Sequence, residues 1–249
     1  MTTEDTESRP RLTDLYWARP EPEDLDPPLS RAEIAEVAVG IADREGLDAV
    51  TIERAGAVLG SRAPSLPHHI WLDCDLVDVA LDTAFGEALP PAGNSGDYRA
   101  DLREIALALR AAQRRHRWFA AALHTRPLFG PNSMRFLDVA VATLEDVVPD
   151  ITEAMGYVSL ISGYVGGASL TDAEEELSSP GEADTWDHEQ VHRIVGQFLG
   201  GVIASGDYPS YARFLQAGAK HAETEAGFRL GLDCLLDGIA ARITGRRPQ

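Results

Sequence analysis

An all-helical fold is what this sequence predicts. From Leu29 onward apolar residues recur three and four positions apart, the period that gathers them on one face of an α-helix. Almost no segment alternates apolar and polar residues with β-branched enrichment, so a sheet is not expected. Glycine and proline punctuate the periodic runs at their ends, as Gly46, Gly60 and the Pro90–Gly96 stretch do.

Taken in order, residues 1–29 hold Pro10, Pro20, Pro22, Pro27 and Pro28 among acidic residues and read as a flexible arm. Its one apolar cluster is Leu15-Tyr16-Trp17. The first helix opens at Ser30-Arg-Ala-Glu33, a capping box in which the Ser hydroxyl takes a first-turn amide and Glu33 reaches back. Ile34, Val37, Ala38 and Ile41 follow at helical spacing, and Gly46 supplies the stop. A short second helix runs from Thr51 to Leu59 and ends at Gly60. Ser61 to Ile70 comes next, carrying Pro64 and Pro67, and an amphipathic helix extends from about Asp73 to Ala88. Past the loop at 90–96, helices are expected near 97–116, 133–147, 150–168, 187–205 and 222–243. Thr171–Thr185, poor in apolar residues and rich in acids, reads as a loop.

Composition limits the function. The chain has 249 residues, enough to bury a core, and its 44% hydrophobic and 25% charged residues are ordinary for a globular protein. No apolar run reaches the ~20 residues needed to cross a bilayer, and no membrane partner is expected. The acidic start, Met1-Thr-Thr-Glu-Asp-Thr-Glu, is unlike a signal peptide. Two distant cysteines, Cys74 and Cys234, form neither a disulfide framework nor a metal knuckle, so a reduced cytoplasm is the expected compartment. Against 40 acidic residues stand 22 Lys+Arg, a net charge of −18, and Lys220 is the single lysine. Such a surface repels nucleic acid and anionic membranes.

Three short helices with the second and third joined through Gly60 have the layout of a helix-turn-helix. The run Leu29-Ser-Arg-Ala-Glu-Ile-Ala-Glu-Val-Ala-Val-Gly-Ile-Ala-Asp-Arg-Glu-Gly-Leu-Asp-Ala-Val-Thr-Ile52 resembles the opening of a TetR-family DNA-binding domain. So do Val58-Leu-Gly60, Ser65-Leu66 and His69-Ile70. His116-Arg-Trp118 with Arg126-Pro-Leu-Phe-Gly-Pro-Asn132 resembles the start of the family's ligand-binding domain, and Phe228-Arg-Leu-Gly-Leu-Asp-Cys-Leu-Leu-Asp-Gly-Ile239 its closing dimer helix. The similarity spans roughly residues 29–244. It implies a three-helix helix-turn-helix head over 30–90 and a helical ligand-binding and dimerisation domain over 97–244. It further implies a homodimer, with the helices near 187–205 and 222–243 as its interface.

The departures fall where DNA would be touched. Family members usually carry an aromatic, most often Tyr, where this chain has Pro67. Proline inside a helix removes an amide donor and costs ~3 kcal/mol. The family's phosphate-contacting lysine at the start of the following helix corresponds to Asp73, with Asp75 close by. Residues 30–90 hold four arginines against eleven acids, so operator DNA is a partner that charge disfavours. Arg62, Ser65, His68 and His69 are the candidates for reaching bases or phosphates.

For the ligand-binding half, the resemblance implies a pocket among the middle helices, holding a small organic molecule. His116, Trp118, His124, Phe136, Met155, Tyr157, Tyr164 and Phe198 are the candidate lining residues, although residues at such helical spacing are more often plain core than ligand contacts. The expected cavity lies within 97–205 and measures on the order of 300–1,000 Å³, with polar groups from His116, His124, Tyr157 or Tyr164 converging on it. Gly156, Gly163, Gly166 and Gly167 on one helix allow close approach or leave room for a guest. His188-Glu-Gln-Val-His192 places two histidines on one helix face, where they can hold Zn²⁺ with Glu189 as base. A third ligand is not evident, and a solvated helix start with incidental histidines is the favoured reading of the motif. No cofactor is expected, nor is there a G-x-S-x-G or a P-loop. The resemblance favours a dimeric sensor of a small organic molecule, nominally a transcriptional regulator with weakened DNA binding. Three functions stay open within it and beside it: a true repressor, a metabolite-binding protein that has lost DNA recognition, and an enzyme built in the pocket.

Overall fold

The computed structural model describes residues 15–90, 94–126, 129–177, 188–217 and 225–245, and every regular element among them is helical. Helix α1 (Arg31–Glu45) opens on the expected capping box. The Ser30 hydroxyl accepts from the Glu33 amide at 3.3 Å, and the Glu33 carboxylate accepts from the Ser30 amide at 2.9 Å. Gly46, at φ 87°, ends it in a conformation that side chains resist. Helix α2 (Ile52–Leu59) is capped by Thr51 and closed by Gly60 at φ 59°. The next nine residues, Gly60–His68, form a 3-10 helix rather than an α-helix. Pro64 and Pro67 lack an N–H and their rings crowd the carbonyl four residues back, so a regular α-helix is disfavoured through this segment.

Helix α3 (Asp73–Glu87) packs across α1 and buries Leu76, Val79 and Ala80 with Ile34, Ala38 and Ile41. It also packs on the second half of the molecule, so a single core runs through both halves. From Leu15 on, the segment that composition marks as a flexible arm is built into the head. Tyr16 is 3% exposed and Arg19 8% exposed, and Arg19 pairs with the buried Asp75 at 2.6 Å. The burial of a paired charge and an aromatic ring outweighs the backbone entropy that proline-rich composition suggests.

The second half holds α4 (Tyr98–Arg115), α5 (Phe119–Thr125), α6 (Pro131–Ala142), α7 (Ile151–Leu177), α8 (His188–Ser205), α9 (Pro209–Gln216) and α10 (Glu225–Thr244). Helix α4 packs on α3, α5, α7 and α10, and together with α5 and α6 it joins body to head. The backbone of α7 stays helical through Leu177, into the acidic stretch expected as a loop. Glutamate is a good helix former, and a polar run has no apolar stripe for periodicity to register. The rest of that stretch to residue 187 lies outside the described residues. The short helices α5 and α9 escape sequence periodicity because one or two turns give it too few repeats. Helices α8 and α9 pack on each other, and Ile194, Val195 and Phe198 of α8 stand exposed.

Candidate functional site

The 3-10 segment Gly60–His68, which with His69 carries the candidate DNA contacts, is held from behind by the N-terminal chain. Ser65 is buried and its hydroxyl donates to the Pro27 carbonyl at 2.5 Å. His69 is buried with its Nε2 2.9 Å from the Leu29 carbonyl, and desolvation lowers its pKa despite that bond. Arg62 pairs with Glu33, the capping residue of α1. Of the four candidate DNA contacts only His68 faces solvent without such a tie. Asp73 has a structural duty: its carboxylate accepts the Ile52 amide at 2.7 Å, at the start of α2.

The head's acidity acquires an explanation here. Eight of its eleven acidic residues have partners inside the chain. Glu33, Glu45 and Asp75 pair with Arg62, Arg54 and Arg19, and Asp73 caps α2. The other four, Asp43, Asp78, Asp82 and Glu87, lie on the seam between head and body. Asp43 accepts from His116 Nδ1 at 2.8 Å and from Trp118 Nε1 at 2.7 Å. Glu87 lies 3.2 Å from His116 Nε2 and 3.1 Å from Arg115. Asp78 pairs with Arg126 at 2.7 Å, yet burial dominates and raises its pKa. Asp82 is 4% exposed and caps α6 through the amides of Asn132 and Ser133 at 3.2 and 2.8 Å; burial, opposed by those bonds, raises its pKa too. Pairing cancels much of the short-range field, although the net charge remains.

A cavity of about 670 Å³ opens between α4, α7 and α10. Its wall carries Arg110, Tyr164, Thr171, Phe228, Leu230 and Cys234, with Gly163, Gly167, Gly227 and Gly231 between them. A Cβ added at Gly163 or Gly167 would meet nothing within 4 Å, so these glycines leave space. Gly231 does the opposite: a Cβ there would come within 2.2 Å of the Tyr164 hydroxyl. That close approach lets Tyr164 donate to the Phe228 carbonyl at 2.8 Å and stack on its ring. Arg110 is buried, its guanidinium 3.7 Å from the Phe228 ring centroid and 3.8 Å from Glu225. Burial raises the pKa of Tyr164, which disfavours the phenolate that base catalysis would need.

The other candidate lining residues are dispersed. His116 and Trp118 sit on the seam, and Phe136 packs in the core 5.4 Å from Phe85. Tyr157 is buried with its hydroxyl on Glu153, one turn back. Met155 is partly exposed on α7, and Phe198 on α8 is 69% exposed. The side chains of His124, His188 and His192 lie outside the described residues, although α8 does begin at His188. Among the described residues no three His, Cys, Asp or Glu side chains gather as a metal site. No helix among the described residues is long and apolar enough to cross a membrane. Sequence reasoning missed Arg110 and Phe228; the signal that could have found their neighbourhood is the four-residue spacing of Gly227 with Gly231, which matches that of Gly163 with Gly167 on the facing helix.

Comparisons with known proteins bear on family and fold. The family model described as "Tetracyclin repressor-like, C-terminal domain" matches residues 90–243. The chain is 29% identical over 246 residues to the HTH-type transcriptional repressor DrrR1 of Streptomyces coeruleorubidus, which covers 96% of this chain and 88% of that one. It is similar in fold to apo ActR of Streptomyces coelicolor, with a TM-score of 0.69 and 23% identity over 87% of this chain and 98% of the other. ActR crystallised with actinorhodin aligns with a TM-score of 0.67 and 25% identity, covering 86% and 96%.

Proposed function

Because the chain belongs to the tetracycline-repressor-like (TetR) family of transcriptional regulators, we propose that its head (residues 30–90) reads an operator and its body (residues 97–244) senses a small organic molecule in the cavity between α4, α7 and α10. The observation that carries this reading is the cavity's wall. Its volume suits a drug-sized guest, its surface is mainly apolar, and Arg110 offers a buried cation to an acceptor or acidic group on that guest. Arg110 lies on α4, the helix that packs against α3 of the head, so occupancy of the cavity has a rigid element through which to act. The actinorhodin complex of ActR supports a ligand of the same general kind.

The exposed apolar side chains of α8 and of α10, among them Phe198 and Leu230, support a homodimer in which these helices meet their symmetry mates. The experiment is polarisation of a labelled duplex from the region upstream of the chain's own gene, at about 50 mM salt, titrated with actinorhodin as the probe. Binding that weakens steeply with salt and is reversed by the probe supports the reading. No binding at low salt overturns the DNA half. Binding that persists unchanged under saturating actinorhodin excludes that guest, and a parallel loss of cavity occupancy on Gly163→Leu tests the pocket directly.

A further inference from the structure

The seam between head and body contains a histidine whose surroundings fix its charge. His116 closes the C-terminus of α4 and is 2% exposed. Its Nδ1 faces Asp43 of α1 at 2.8 Å and its Nε2 faces Glu87 of α3 at 3.2 Å. A neutral imidazole has one N–H, so in either tautomer the other nitrogen would turn a lone pair toward a carboxylate oxygen. Only the doubly protonated ring donates to both. Each carboxylate is one-third exposed and has a second donor: Trp118 Nε1 at 2.7 Å for Asp43, and Arg115 at 3.1 Å for Glu87. The charged groups facing the ring are Asp43 from α1, Glu87 from α3 and, across Glu87, Arg115 from α4; Trp118 beside it is uncharged. A cation here also sits at a helix C-terminus, where the helix dipole favours it.

We propose that His116 is held as an imidazolium between Asp43 and Glu87, and that this cluster is a charged latch fixing the angle of the DNA-reading head on the body. The latch rests on the regulator reading for its purpose, yet its chemistry stands apart from DNA and ligand. Both head helices are gripped by one ring carried on α4, six residues after the cavity's Arg110. The grip is present while the ring is protonated and is lost as rising pH removes that proton, leaving two carboxylates facing one lone pair.

Two readouts test it. In a protein keeping Trp118 alone (Trp17→Phe, Trp71→Phe, Trp186→Phe), imidazolium beside indole quenches emission, so emission should rise in one step as pH is raised from acidic to mildly alkaline. That titration should be flat in His116→Gln and displaced to lower pH in Glu87→Gln. A flat trace with His116 present, or a titration that survives His116→Gln, overturns the latch; should His116→Gln fail to fold, an unmoved midpoint in Glu87→Gln does so. The second readout is hydrogen-exchange protection of α1 amides, corrected for intrinsic rates. It should fall about tenfold across the same range in the wild type and not in His116→Gln, and equal protection at both pH values overturns the head-fixing role. Neither readout involves DNA or ligand, so a failed latch is distinguishable from a failed regulator.

Discussion

Arg19 joins three parts of the head. Its guanidinium pairs with Asp75 at 2.6 Å and lies 3.9 Å over the Trp71 ring, and Asp75 in turn accepts from the Trp71 and Leu72 amides at 3.0 and 3.2 Å. Removing one member of a buried pair leaves the other charge uncompensated, at about 3–5 kcal/mol. Two amides still serve Asp75, so Arg19→Met should cost near ~3 kcal/mol in urea unfolding, and a loss under ~1 kcal/mol would show that the N-terminal segment is not part of the head. Tyr16 gives a pH signature. Its hydroxyl is buried without a hydrogen-bond partner among the described residues, and burial pushes its pKa from 10.0 up to about 12. The folded state favours neutral tyrosine, so this stability is present below about pH 10 and is lost as pH climbs toward 12. Tyr16→Phe should abolish that loss, seen by comparing unfolding at about pH 9 and about pH 11 for both proteins. None of this is legible in sequence, since Arg19 and Asp75 stand 56 positions apart and local patterns carry no such pairing.

Among the elements, those with strong local signals follow the sequence closely. Ser30 with Glu33, Gly46 and Gly60 mark real boundaries, and α3, α4 and α8 begin and end within a residue or so of expectation. The 3-10 segment is legible too, because Pro64 and Pro67 act through their own backbones. What is not legible is the support each element draws from others. Asp73 looks like a lost phosphate contact and is also the acceptor for the Ile52 amide. Pro67→Tyr alone should therefore raise DNA affinity at low salt, whereas adding Asp73→Lys should cost roughly 1 kcal/mol of head stability, read by thermal melts. No gain from Pro67→Tyr would mean that winding of the 3-10 segment does not limit binding. The start of α6 depends on a similar long-range cap. A Cβ at Gly130 would fall 2.1 Å from the Asp82 carboxylate that holds the Asn132 and Ser133 amides. Gly130→Ala should destabilise the protein by about 1–3 kcal/mol in urea, and a neutral result would show that Asp82 has room to move.

At the scale of the whole molecule, the two halves share one core, and the acidic residues of α1 and α3 meet cations and amides of α4 and α6 along the seam. Composition announces the acid excess but cannot say that much of it is internal. The cavity has the size expected, yet its wall draws on α10, beyond the span in which the sequence places it, because periodicity assigns faces without saying which helices they meet. Gly163 and Gly167 head into open space, so Gly163→Ala and Gly167→Ala should each stabilise α7 by roughly 0.5–1 kcal/mol while narrowing the cavity. Tighter guest binding in those variants, by calorimetry, would count against the cavity as the sensing site. Phe198→Glu on α8 should shift the protein toward monomer in light scattering at micromolar concentration, and an unchanged dimer would place the interface elsewhere.

Regulators of this architecture invite recombination, with the head of one joined to the sensing half of another to make a new biosensor. The N-terminal segment and the seam set where such a graft can be cut. A head taken from Ser30 leaves Tyr16 and Arg19 behind, strips Ser65 and His69 of their partners and takes from Asp75 its arginine. A cut at Pro90 parts Asp43 and Glu87 from His116, Asp78 from Arg126, and Asp82 from the start of α6. A transplantable head therefore begins no later than Leu15, and its recipient must carry a histidine, an arginine and a glycine at the positions of His116, Arg126 and Gly130.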